Sequence, residues 1–150
     1  MAGLVEATSH GLLLVRFASF VSLLVHRGAV ERHGLPIKRF FIWTDDVEFT
    51  ARILRWETGY LVPKSVVHHK TAAAYTTAEG PRARFFYYVR NTLYMTRGPA
   101  WDKQEKARLV WGLSIQIWRF LRHNHWSPGA ALVVARGIAH GVATPADDGG

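Results

Sequence analysis

The segment Arg39–Thr50, RFFIWTDDVEFT, constrains this chain most. An aromatic run ends in two adjacent carboxylates, Asp45 and Asp46. The apolar positions that follow, Val47, Ala51 and Leu54, repeat at helical spacing, with Phe49, Ile53 and Trp56 widening the face. An extended piece must therefore hand over to a helix here. Phe40–Trp43 is the extended part and Asp45 or Asp46 is the N-cap. The helix is expected to run to about Thr58, with Gly59 closing it. Carboxylates at a helix start meet unpaired backbone N–H groups and the positive end of the dipole, so they are held pointing at one spot. Such a pair can hold a cation or take a proton from an alcohol. The competing reading is a plain cap with a solvated neighbour.

The flanking punctuation divides the chain into elements. Phe17–Val25 is mostly apolar, with β-branched and aromatic members, and predicts a buried strand. Arg27–His33 is a short helix closed by Gly34, and Pro36 blocks its continuation. Tyr60–Val62 predicts a strand, Pro63-Lys64 a turn, and Val66–His68 a second extended piece ending in His68-His69-Lys70. Thr71–Pro81 is small and polar and predicts a mobile loop. Arg82–Arg97 is a helix crowded with aromatics, stopped by Gly98-Pro99. Asp102-Lys103-Gln104-Glu105 has capping-box spacing and opens a helix to about His123. Ser127-Pro128 opens a last helix that ends near Gly141. The expected organisation is an α/β part over 1–80, basic aromatic helices over 81–141, and a disordered tail over 142–150.

A length of 150 residues suffices for one modest core. The chain has no cysteine, which excludes disulfides, thiolate chemistry and Cys-based zinc sites. Its first residues lack the basic start of a secretory signal. The longest apolar run, Gly11–Val25, is interrupted by Arg16 and falls short of the roughly 20 residues that span a bilayer. The net charge is +8, and its distribution is uneven. Ten of the 19 basic side chains but two of the 11 acidic ones lie between Arg82 and His140. A basic half rich in aromatics suits an anionic membrane surface. A solvated basic face without a partner is the plainer reading. Nucleic acid is not expected as a partner, because no recognition motif accompanies the charge.

Three pieces, SFVSLLVHRGAVERHGLPIKRFFIWTDDVEFTARI, SVVHHK and FFYYVRNTLYMTR, in this order, resemble the C-terminal half of the catalytic domain of family 2 glycosyltransferases. The galactofuranosyl- and rhamnosyl-transferring branch is the most similar. The likeness covers about half of the chain well, from Ala18 to Lys70, and the C-terminal helices more loosely. It implies an α/β fold, part of a GT-A-like sheet, followed by α-helices. It also implies inverting transfer from a nucleotide sugar, UDP-galactofuranose or dTDP-rhamnose, to a glycan or lipid-linked acceptor. The place of work would be the cytoplasmic side of the plasma membrane, held there peripherally.

The resemblance also assigns residues. Asp46, the second acid, would be the catalytic base that takes the acceptor hydroxyl proton, since an alcohol is a weak nucleophile at neutral pH. Asp45 would orient the acceptor or the loop. His69 would help hold a divalent cation on the donor diphosphate, and an imidazole suits manganese better than magnesium. Neighbouring strand side chains face opposite ways, so His68 and His69 cannot both face one metal. Alignment of the following Lys70 selects His69. Trp43 and Phe41 are candidates to stack on an acceptor sugar, against a plain core role. Arg90 and Asn91 are candidates to reach the donor diphosphate, against a helix-surface role. The family's nucleotide-binding half carries an Asp-x-Asp pair, and here no Asp precedes Asp45. The expectation is therefore a piece lacking the donor site. The alternative is a non-catalytic remnant that keeps its helices to bind a membrane surface or a partner.

Overall fold

The computed structural model describes residues 11–70, 77–79 and 82–145. In chain order it contains β1 (Leu13–Leu14), α1 (Arg27–His33), a 3-10 turn (Lys38–Phe40), α2 (Asp45–Ile53), β2 (Tyr60–Leu61), α3 (Arg82–Arg97), α4 (Lys103–His123) and α5 (Pro128–Ala143). The end of α1 and the starts of α4 and α5 follow the local signals. Gly34 closes α1 at φ 77, and its N–H donates to the Val30 carbonyl. Asp102 and Glu105 exchange both bonds of a capping box at the start of α4, at 2.8 and 2.9 Å. The Ser127 hydroxyl caps α5, with Pro128 in its first turn.

The expected GT-A-like α/β sheet is not formed. The described residues hold five helices and one two-stranded antiparallel sheet, with Leu13 opposite Leu61 and Leu14 opposite Tyr60. Phe17–Val25 is neither strand nor buried: it has no regular structure, and Leu24 is 99% exposed. A strand needs a partner for its backbone groups, and none among the described residues pairs with this run. The run is pinned by other means. Phe17 packs on Trp101 and Phe20 on Phe49, while the Thr50 hydroxyl accepts from the Ala18 N–H and donates to the Ala18 carbonyl. Helix α2 stops at Ile53 rather than near Thr58. Beyond it the chain turns, and Glu57 reaches back to Arg32 and His33 around α1. Val66–His68 is likewise irregular and exposed. The expected loop Thr71–Pro81 falls largely outside the described residues, as do 146–150 of the expected tail. Val142 and Ala143 still belong to α5.

Three apolar clusters build the core. Phe85, Val89, Leu113, Phe120, Ala130 and Val134 join α3, α4 and α5, with the Phe85 and Phe120 rings stacked at 3.8 Å. Phe40, Ala51, Tyr94, Met95, Ala100 and Trp101 tie the 3-10 turn and α2 to the end of α3. Ala29, Phe49 and Ile53 join α1 to α2. The second cluster makes the acidic segment and the helical half one packed unit. No helix among the described residues is long and apolar enough to cross a membrane.

Candidate functional site

The site grows from the way the chain enters α2. Phe40–Trp43 is not extended as its residue types suggested. A 3-10 turn is followed by a γ-turn centred on Phe41 (φ 62, ψ −61), in which the Ile42 N–H donates to the Phe40 carbonyl at 2.7 Å. This form of γ-turn is rare and strained. Trp43 and Thr44 follow at φ 63 and 65, in the left-handed region that aromatic and β-branched residues avoid. Neither acid is the cap. Thr44 is, and its side chain makes no capping bond. Asp45, Asp46 and Glu48 all lie in the first turn of α2. Asp46 Oδ1 accepts from the Val47 N–H at 2.8 Å, as a carboxylate at a helix start should. Glu48 is buried in an ion pair with Arg52 and is not available for chemistry.

A left-handed loop persists only where its surroundings over-determine it. Here α3 does so. Asn91 is fully buried, and its Nδ2 donates to the carbonyls of Phe40, Ile42 and Trp43 at 2.9, 2.9 and 2.7 Å. Two N–H groups serve three acceptors, so one bond is shared. Arg90 Nη2 donates to the carbonyls of Arg39 and Phe40, and both Arg90 Nε and Nη2 reach Asn91 Oδ1. These two residues, marked in sequence as candidate phosphate binders, thus meet the aromatic segment and fix its backbone. Nothing local in the sequence signals that clamp.

The clamp decides what the loop displays. Phe41 is 72% exposed, its ring 5.2 Å from that of Tyr87. Trp43 is half-buried and packs edge-on against Tyr88 at 6.3 Å. Lys38, Arg39, Phe41, Tyr87 and Arg90 line a shallow cavity of about 550 Å³ beside the loop. The cavity draws on both halves of the chain, so no single stretch of sequence announces it. Burial pushes the Asp45 carboxyl above its ordinary value. Its own backbone N–H bond opposes this, and the Asp46 charge adds to the rise. Burial lowers Arg90 from its ordinary value, opposed by the charge of the Tyr94 and Tyr87 phenol groups and helped by the Arg39 charge.

His69 is placed differently. It is exposed, on an irregular segment beyond β2. Among the described residues no three His, Asp or Glu side chains lie close enough together to hold a metal ion. The acid pair, Phe41, Trp43, Arg90 and Asn91 come together in one neighbourhood, and among the described residues no hydrogen bond or metal-holding group joins His69 to it. Comparison with known proteins finds no matching family model, no matching curated protein and no matching solved structure.

Proposed function

We propose that this chain supplies the acceptor side of an inverting glycosyltransferase, which moves a sugar from a nucleotide sugar to a glycan or lipid-linked acceptor. The observation that carries the reading is the acid pair in the first turn of α2, reached through a strained aromatic loop held by Asn91. Strain held in this way is characteristic of functional sites. Asp46 is the base. Its Oδ1 is occupied by the Val47 N–H, and the acceptor proton goes to its other oxygen. As that proton leaves, the acceptor oxygen bonds to the anomeric carbon and the nucleotide diphosphate departs with the electron pair of the broken bond. Asp45, beside Asp46 in the first turn of α2, is placed to orient the acceptor. Phe41 offers an exposed ring face to a sugar. A lipid-linked acceptor puts the chain peripherally at the cytoplasmic face of the plasma membrane.

Two measurements test this. Oligosaccharides ending in rhamnose or galactofuranose, titrated into the chain and followed by NMR, should shift the amide signals of Phe41–Val47 and spare α5. An absence of shifts in that segment at saturating sugar would sink the acceptor role. In a transfer assay supplied with a donor-binding polypeptide, Asp46→Asn should lower turnover by at least ~10²-fold while sugar-induced shifts persist. Near-normal turnover would remove Asp46 as base.

A further inference from the structure

We infer that the outer face of α4 is a docking surface for an anionic lipid bilayer. Helix α4 runs for 21 residues but fully buries only Leu113 and Phe120. Trp111 and Trp118 lie on the opposite side, two turns apart and 70% and 50% exposed. Arg108, Arg119 and Arg122 flank them, all exposed, and the Arg122 guanidinium sits 5.2 Å over the Trp118 ring. Two large exposed indoles on one helix face are unusual on a solvent-facing surface.

Charge identifies the occupant. No Asp or Glu occurs between Glu105 and Asp147, so that along the helix Arg108 alone has a carboxylate near it, that of Asp102 at the N-cap, and the positive charge of Arg119 and Arg122 is unbalanced. The matching surface is negative, and its interior must accept indole rings. An anionic leaflet provides both, since tryptophan settles at the headgroup level and arginine meets lipid phosphate. The helix does not insert across the bilayer, because α4 is not apolar enough to do so. It lies in the interface as a platform about 30 Å long. The inference stands on the helical half alone, so its failure leaves the acid-pair reading untouched.

The full chain is sedimented with phosphatidylcholine vesicles, with and without phosphatidylglycerol, across a salt series. Binding should need phosphatidylglycerol and weaken with salt, because surface charge is screened within about 8 Å at physiological ionic strength. Each arginine near an anionic leaflet is worth about fivefold in partitioning. The triple variant R108Q/R119Q/R122Q should therefore bind about a hundredfold more weakly. The double variant W111S/W118S should lose about tenfold or more through lost apolar burial, with an unchanged thermal melt because both sites are exposed. Leu132→Ser, on exposed α5 surface, should bind like the unsubstituted chain. Any of four results would overturn the inference: equal binding to neutral vesicles, no binding to any vesicle, unaltered binding by W111S/W118S, or equal losses in Leu132→Ser. So would tighter binding to duplex DNA than to phosphatidylglycerol vesicles, or lipid-free self-association abolished by W111S/W118S.

Discussion

Thr44 carries two burdens at once. Its backbone sits at φ 65, and its Oγ1 is buried with no hydrogen-bond partner among the described residues. A β-branched residue in the left-handed region is strained by roughly 1–2 kcal/mol, and an orphaned hydroxyl adds to that. Glycine relieves both and gives back part of the gain in chain entropy. Thr44→Gly is therefore expected to stabilise the chain by about 1 kcal/mol in urea unfolding. A destabilised variant would mean that the strain is not there. Asp45 makes a separate prediction from its raised carboxyl value. The folded chain holds that proton more firmly than the unfolded chain does. Its contribution therefore favours folding below the ordinary Asp value of 3.8 and is lost as pH rises through the raised folded value. At pH 7 the ionised group opposes folding. Asp45→Asn should accordingly raise Tm at neutral pH, with the gain fading in acid. An equal gain at both pH values would point away from burial as the cause.

Among the elements, the α3–α5 contact depends on two glycines. A Cβ built on Gly137 would lie 2.8 Å from Val89 Cβ, and one on Gly141 would lie 2.7 Å from Leu93 Cδ1 and 2.9 Å from Leu93 Cβ. The spacing of four residues puts both on one face of α5, where the helices touch nearly backbone to backbone. Gly112, inside α4, has nothing within 4 Å of such a Cβ. The same substitution should therefore act in opposite directions. Gly137→Ala or Gly141→Ala should cost about 1–3 kcal/mol through overpacking, outweighing alanine's better helix propensity. Gly112→Ala should gain up to about 1 kcal/mol from propensity alone. Matched thermal melts of the three variants decide it, and a uniform sign across them would contradict the packing geometry.

Across the whole molecule, Arg16 is the tie between the irregular N-terminal run and the helices. Its guanidinium donates to the carbonyls of Ala51 and Ala100, pairs with Glu105 at 2.8 Å, and lies 4.9 Å over the Trp101 ring. One side chain thus satisfies groups on α2, at the turn before α4 and on α4 itself. Arg16→Met would remove the donor to the Ala51 and Ala100 carbonyls and leave Glu105 with the Asp102 N–H, and should cost about 2–3 kcal/mol at pH 7. The hydrogen bond from Arg16 is the main reason that Glu105 lies below its ordinary value of 4.5. That contribution is complete above the ordinary value and is lost as pH falls through the lowered folded value. The difference between the two chains should narrow in acid. A pH-independent difference in Tm would show that the carboxylate is not involved.

The sequence by itself determined where the helices lie and how α1 ends and α4 and α5 begin, because those signals act over a few residues. Gly34 has no Cβ to oppose a left-handed turn, Asp102 and Glu105 reach each other across one turn, and Ser127-Pro128 pre-sets an entry. It also marked the acid pair and the aromatics before it. Tertiary structure decided the rest. Phe17–Val25 has every local mark of a strand, but a strand exists only where another supplies its ladder, and among the described residues only Leu13–Leu14 and Tyr60–Leu61 pair. The path through Phe41, Trp43 and Thr44 is one that their own preferences oppose. It is held by hydrogen bonds that the Asn91 side-chain amide donates from about 50 residues along the chain. The carboxylates could be read from their neighbours in sequence, whereas the direction in which the loop presents them depends on a side chain that only folding brings near.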